Sequence, residues 1–296
     1  MDDIIVTVFT PTYNRAYILE KLYESLINQT SFAFEWMIVD DGSTDNTEKL
    51  VKKWTNPPFK LSYYKKKNGG KHRAINYGLK QAVGKLFFIV DSDDFLNETA
   101  IEKIIQWESQ LPKDRKYAGV SGNRGYYQNS RIVGSTFSGQ YLDCSYMDRD
   151  KYNIEGDKAE AYYTDVLRKY KFPEIEGENF ITERVVWDKI AEDGYILRYY
   201  NEIIYLSEYL EDGLTKNGDD IYKRNPIGVA YNLKQMIRIY KYPLIKKYKE
   251  YYSYYLMVSD IMTKKEICKM LSISSLKLNL IVLMGTIKNI LWRFVR

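Results

Sequence analysis

The stretch that most constrains the fold is Leu86-Phe87-Phe88-Ile89-Val90, an unbroken apolar run that stops abruptly at Asp91-Ser92-Asp93-Asp94. Such a run reads as a strand buried on both faces, the habit of a parallel sheet covered by helices on each side. Sheets of that kind take ligands beyond the carboxyl ends of their strands, where these acids fall. Three carboxylates within four residues repel one another, so at a buried strand end they call for a cation. On an extended chain Asp91 and Asp93 project to the same side, and an all-oxygen donor set suits Mg²⁺ or Mn²⁺. A solvated turn capping a helix that starts near Asn97 is the plainer reading of the same residues.

The residues before this run alternate strand and helix patterns. Residues 4–10 form a strand broken by Pro11-Thr12-Tyr13-Asn14-Arg15, and Ile18, Leu22 and Leu26 then recur on one helical face. Trp36-Met37-Ile38-Val39 is a second strand, ending in Asp40-Asp41-Gly42-Ser43, with Asp45 three before Glu48 as in a capping box. A third strand near residues 61–64 leads through Asn68-Gly69-Gly70-Lys71-His72-Arg73 into a helix bearing Ala74, Ile75 and Leu79. Strand-helix-strand spacing implies right-handed crossovers, a mostly parallel sheet and an α/β fold class. Gly78 and Gly84-Lys85 imitate a phosphate-binding loop, but the spacing is one residue too long and Leu86 replaces the Ser/Thr.

Beyond the acids, residues 117–141 read as irregular and partly antiparallel, 143–172 as a long surface loop with one helix at most, and 195–206 as further strand. Val185, Val186 and Ile190 mark a short helix beginning near Thr182-Glu183. From about residue 216 the periodicity is helical with no clear strand, so the chain divides into a 1–215 α/β domain (with halves 1–100 and 101–215) and a 216–296 helical extension. Cys144 and Cys268 have neither disulfide-framework nor zinc spacing, and the N-terminus lacks a basic signal region, which together suit a reducing, cytoplasmic setting. The net charge of +5 is uneven: residues 264–296 hold seven basic residues and one acid, 7 − 1 = +6, leaving the rest near −1. A basic tail on a nearly neutral body points to an anionic surface rather than to nucleic acid.

The ordered set of Pro11-Thr12-Tyr13-Asn14-Arg15, the strand ending Val39-Asp40-Asp41-Gly42-Ser43, and Asp91-Ser92-Asp93 resembles the family 2 glycosyltransferases of the GT-A fold over about residues 4–215. The resemblance implies a mostly parallel nucleotide-binding sheet flanked by helices and an inverting, metal-dependent transfer of sugar. The donor is then a nucleotide sugar, UDP-linked by expectation, and the acceptor a hydroxyl on a growing glycan or lipid-linked saccharide in surface-polysaccharide synthesis. Asp41 then accepts from the donor's base, Pro11, Thr12 and Tyr13 form the wall beneath it with Arg15 alongside, Asp91 and Ser92 meet the ribose, and Asp93 binds Mn²⁺ or Mg²⁺. Lys71, His72 and Arg73, at a helix N-terminus that favours anions, hold the diphosphate. Inversion needs a carboxylate to deprotonate the acceptor, and the matching place is Glu183, with Glu178 and Glu176 as competitors. The family's usual Glu-Asp pair is absent here. So is the histidine that many relatives carry after the last strand; Glu211, Asp212 or water would stand in for it.

In the tail, Leu276, Leu280, Leu283, Ile287, Ile290, Leu291 and Phe294 share one side of a helical projection, with Lys277, Lys288, Asn289, Arg293 and Arg296 on the other. The run is too polar to span a bilayer but suits its anionic surface, placing the protein peripherally on the inner face of the cell membrane. Packing as a core helix, or against a second copy in a homo-oligomer, is the alternative. Rival functions are an inactive nucleotide-sugar or glycan-binding scaffold and a sugar-nucleotide pyrophosphorylase; the latter calls for a Gly-rich basic loop after the first strand, which residues 11–15 are not.

Overall fold

In the computed structural model, which describes residues 3–208 and 218–294, the alternating N-terminal pattern becomes four strands and three helices. The strands are β1 (Val6–Thr12), β2 (Phe34–Asp40), β3 (Lys60–Lys65) and β4 (Leu86–Ile89); the helices are α1 (Leu19–Ile27), α2 (Thr47–Val51) and α3 (Lys71–Gln81). The strands pair in parallel in the order β3-β2-β1-β4. One face of the sheet, with Val8, Trp36, Ile38 and Phe88, shares a core with Leu22 and Leu26 of α1. On β1 and β4, Phe9 stacks on Phe87 at 4.9 Å, and α3 comes so close that a Cβ on Gly78 would lie 2.3 Å from the Phe9 ring. Gly78 is therefore a packing glycine, which accounts for the imitation phosphate loop.

Beyond β4 the sheet is mixed, not mostly parallel. The chain there runs β5 (Phe95–Leu96), α4 (Ala100–Ser109), β6 (Tyr117–Tyr126), β7 (Tyr141–Cys144), a 3-10 helix (Tyr146–Tyr152), β8 (Lys158–Tyr163), α5 (Thr164–Leu167), α6 (Arg184–Glu192) and β9 (Ile196–Ser207). The sheet continues β4-β8-β6-β9-β5 with β7 on β9; only β6 and β9 pair in parallel here. The expected 143–172 loop thus contains β8, a central strand. Its charges hid it. Lys158 is buried but donates to the carbonyls of Val133 and Ser135 at 3.1 and 2.9 Å, and Glu160 meets Arg149 at 3.7 Å, while Ala159 and Ala161 face the core. Asn97 also differs from expectation: it bonds the carbonyl of Ile203 at 2.6 Å, and Thr99 holds the N-cap of α4.

Close pairing of β6 with β8 depends on Gly119, whose φ is +152° and whose added Cβ would sit 2.0 Å from the Ala161 carbonyl oxygen. Gly119→Ala forces either backbone apart. It is expected to cost about 3 kcal/mol, read as a lower denaturant midpoint in chemical unfolding.

The chain divides into two compact units, Met1–Glu174 with Val186–Gly213, and Ile175–Val185 with Leu214–Arg296. The expected boundary near residue 216 lies outside the described residues. Apart from the irregular stretch 175–183, the second unit is built of helices among its described residues: α7 (Gly218–Arg224), α8 (Pro226–Ile239), α9 (Leu244–Val258), α10 (Lys264–Leu271) and α11 (Ser275–Phe294). Its core gathers Leu233, Tyr251, Tyr254, Val258, Ile267, Leu271, Leu278 and Ile281. Residues 175–185 belong to it because the Glu178 carboxylate accepts from the N–H groups of Ile227 and Gly228, each at 2.6 Å, satisfying the exposed start of α8. On α11, Leu278 and Ile281 face inward while Leu276, Leu280, Leu283 and Ile287 are exposed. The side chains of Lys288, Asn289, Ile290, Leu291, Arg293, Phe294 and Arg296 lie outside the described residues. Among the described residues no single helix is long and apolar enough to cross a membrane.

Candidate functional site

Parallel register places Pro11 beside Val39 and Thr12 beside Asp40, so the first two motifs leave the sheet together. Asn14 joins them. It adopts a left-handed φ of 53°, which asparagine tolerates, and its N–H donates to Ser43 Oγ at 2.8 Å. Its Oδ1 accepts from the Thr44 and Asp45 N–H groups at 2.8 and 3.3 Å. Asp45 closes the link by accepting from Ala16 N–H at 3.0 Å and from Thr47 N–H, at the start of α2, at 3.0 Å. Asp40 is buried, accepting from Ser43 N–H at 2.7 Å and from the Tyr63 hydroxyl.

Asp41, expected at the donor's base, anchors the loop between β3 and α3. Its carboxylate accepts from Gly69 N–H at 3.0 Å, from Gly70 N–H at 2.6 Å and from Lys66 Nζ. A carboxylate offers about four acceptor positions, and these contacts take up most of them. Tyr13 is 48% exposed, as a stacking wall requires, whereas Pro11 and Thr12 are buried. Thr12 Oγ1 finds no hydrogen-bond partner among the described residues.

After β4 the chain does not stay extended. Asp94 N–H donates to the Asp91 carbonyl at 3.1 Å, making a tight turn with Ser92 buried inside it. Asp91 pairs with Lys71 at 2.5 Å and with Arg124 at 3.7 Å, and its N–H donates to the Tyr205 hydroxyl at 3.0 Å. That hydroxyl in turn donates to Asp94 at 2.7 Å, and Arg124 lies 3.6 Å from Asp94 with its guanidinium 4.1 Å over the Tyr205 ring. Asp93 lies 3.9 Å from Arg15.

Environment separates the three carboxyls. Burial pushes Asp91 up, but Lys71 and Arg124 outweigh it and hold the group below the usual carboxylate range. Asp93 is raised by burial and by the Asp91 charge, with Arg15 too distant to cancel them. Asp94 is pushed to about 7 by burial and then by Asp91. Ionised Asp93 is thus held in a place that disfavours its charge, a situation a divalent cation would relieve. Among the described residues no group of three or more His, Cys, Asp or Glu side chains is placed to hold a metal. A hard cation held by one or two carboxylates, completing its shell with water and ligand phosphates, fits this donor set, as Mg²⁺ and Mn²⁺ bind.

The expected diphosphate contacts divide. α3 starts after Gly70 with Lys71, His72 and Arg73 in its first turn and no acid there. Lys71 reaches the acidic turn through Asp91; Arg73 donates to the Gly69 carbonyl at 2.6 Å and lies 3.7 Å from Glu174. His72 is 3% exposed with Nδ1 unpartnered, and burial followed by the Arg73 charge pushes its imidazole down to about 4. It is a neutral imidazole at neutral pH, not a cation.

Glu183 is half-buried immediately before α6, in the second unit. Of its competitors, Glu176 is exposed and Glu178 is committed to α8. Glu211 and Asp212 lie outside the described residues. Sequence reasoning missed Arg124 and Tyr205, which together frame the acidic turn. Arg124 stands alone between Asn123 and Gly125 and Tyr205 is one tyrosine of 29, so only the pairing of β6 with β9 brings them together.

The family model of glycosyl transferase family 2 matches residues 7–170, more than half of the chain, and the chain belongs to that family. Glycosyltransferase GlyA of Streptococcus pneumoniae is 27% identical over 205 residues, covering 68% of this chain and 28% of GlyA. The poly(ribitol-phosphate) beta-N-acetylglucosaminyltransferase TarS of Staphylococcus aureus is 35% identical over 129 residues, covering 42% of this chain and 22% of TarS. The chain therefore spans under a third of the length of these curated relatives. In structure, residues 1–349 of TarS in complex with UDP-GlcNAc match with a TM-score of 0.62 at 20% identity, covering 86% of this chain and 72% of that one. The mannosyltransferase PcManGT from Pyrobaculum calidifontis, in complex with GDP-Man and Mn²⁺, matches with a TM-score of 0.53 at 21% identity over 92% and 74% of the two chains. These likenesses establish the GT-A fold.

Proposed function

We propose that this protein is an inverting, metal-dependent glycosyltransferase that moves a sugar from a UDP-linked donor to an acceptor hydroxyl in surface-glycan synthesis. The observation that carries the reading is the acidic turn at the end of β4, where Asp93 is held against its own charge beside the Lys71 end of α3. The unpartnered Thr12 Oγ1 and His72 Nδ1 support it, since a buried polar atom left unpaired costs about 1–3 kcal/mol that a bound polar ligand recovers. The UDP-GlcNAc complex of TarS favours uridine, and the GDP-Man and Mn²⁺ complex of PcManGT is in keeping with a divalent ion.

In this reading Pro11, Thr12 and Tyr13 support the base and Asp41 holds the loop that closes its edge. Asp91 and Ser92 meet the ribose, and Lys71, with Arg15, Arg73 and neutral His72, lines the diphosphate. Asp93 holds the metal, which when bound offsets the charge of the leaving diphosphate. Glu183 takes the acceptor proton. The domain division at about residue 215, a cytoplasmic location on the membrane's inner face and a bilayer contact through residues 276–296 belong to the same proposal; the exposed Leu276, Leu280, Leu283 and Ile287 support the last.

The test is nucleotide release from UDP-, GDP- and dTDP-sugars with and without Mn²⁺, which needs no known acceptor. Metal-dependent release from one uridine donor is the expected result. Absence of both release and nucleotide binding by calorimetry would leave a scaffold protein.

A further inference from the structure

The second unit carries an open concavity lined by none of the residues proposed for the transfer. Between α8, the start of α9 and the end of α10 lies a space of about 550 Å³ lined by Lys234, Arg238, Lys241 and Lys247 with Tyr242 and Tyr251. No acidic side chain lines it. Lys234 and Lys241 have no ion-pair partner among the described residues. Like charges gathered around one concavity repel, so the arrangement favours an anion among them.

The backbone carries the same signal. Tyr242 N–H donates to the Ile237 carbonyl at 3.2 Å, ending α8 in a Schellman-type turn, and Lys241 occupies its left-handed position with φ 47°. Glycine takes that position without strain, so a lysine there is a choice made against backbone energy. Ser272, which also lines the cavity, ends α10 in the same conformation with φ 55°.

What adjoins the cavity identifies the source of the anion. Immediately after Tyr242 and Pro243 come Leu244 and Ile245, 66% and 87% exposed, followed by Lys246 and Lys247. Lys246 Nζ lies 3.8 Å over the Tyr242 ring, so cation, aromatic ring and bare aliphatic side chains share one corner. A soluble anion needs the cations but has no use for two projecting aliphatic side chains. A bilayer uses both, because apolar tips enter the boundary beneath the headgroups while lysines and an aromatic ring stay at headgroup depth.

We propose that the corner between α8 and α9 docks on an anionic bilayer, with lipid phosphates in the cavity and Leu244 and Ile245 below them. The site is separate from the stripe on α11 and independent of the catalytic reading. The experiment is co-sedimentation of the full 296-residue chain with phosphatidylcholine vesicles, with and without phosphatidylglycerol. Three variants are compared: Lys234→Glu/Lys241→Glu, Ile245→Asp, and Leu280→Ser/Leu283→Ser on α11. Thermal melting serves as the folding control.

Binding is expected only to vesicles with phosphatidylglycerol, and it weakens with salt. At about fivefold for each surface cation, the double charge reversal lowers it on the order of 20-fold or more. Ile245→Asp weakens it as well, with melting unchanged. Lys241→Gly, which relieves the left-handed position, is expected to melt no lower and still bind less. Equal binding to both vesicle types, or a loss confined to the α11 variant, would overturn the proposal. A loss on charge reversal with Ile245→Asp at the native level would also overturn it, reassigning the cavity to a soluble phosphate compound.

Discussion

Asp93→Asn is expected to lose donor-dependent turnover while gaining stability. Metal neutralisation of a departing diphosphate is worth several kcal/mol, and each 1.36 kcal/mol is tenfold, so the loss should be on the order of 10³-fold. Stability should move the other way. The folded-state carboxyl is raised above its unfolded value by burial and by Asp91, so its contribution is present while the group is protonated and is lost as pH rises through the folded value. At neutral pH the native chain holds that charge at a cost and the asparagine variant does not. The variant should therefore melt higher near neutral pH, and the difference should close below the ordinary carboxylate range. Mn²⁺ should raise the melting temperature of the native chain and leave that of the variant unmoved, since only a ligand of the folded state shifts it. A variant that melts lower and still responds to Mn²⁺ would remove Asp93 from the metal site.

What could be read from the sequence, and what could not, follows from how far apart the interacting residues lie. β4 was legible because burial on both faces leaves a continuous apolar run, β2 through its apolar stretch Trp36–Val39, β1 through Val6, Val8 and Phe9 with Thr7 between and Thr10 after them, and their loops because Asn14 and Asp45 act on neighbours in an ordered motif. β8 was not legible, because Lys158 and Glu160 break the apolar pattern and are accommodated only by carbonyls of residues 133 and 135 and by Arg149. Arg124 and Tyr205 needed the β6–β9 register to meet the acids. Asp41 shows the limit of motif reading: the sequence places it at the site, but only the structure reveals that Lys66, Gly69 and Gly70 already engage its carboxylate.

On the proposed reading, Glu178 and Glu183, two carboxylates close in sequence, divide between architecture and catalysis. Glu183→Gln is expected to lower kcat by about 10²–10⁴-fold, the usual worth of a general base, with donor KM and melting temperature unchanged. Glutamine keeps the shape but cannot take the acceptor's proton. Glu178→Gln should do the reverse. Its two carboxylate oxygens each accept from one of the first free N–H groups of α8, and an amide, whose NH2 cannot accept, leaves one of them unpaired, a loss that outweighs the relief of a carboxyl raised by burial. The expected cost is about 1 kcal/mol of stability, seen as a lower melting temperature, with kcat nearly intact. Should Glu178→Gln abolish turnover without loss of stability while Glu183→Gln remains active, the base would be Glu178, and the bonds it makes to α8 would have to open during the reaction.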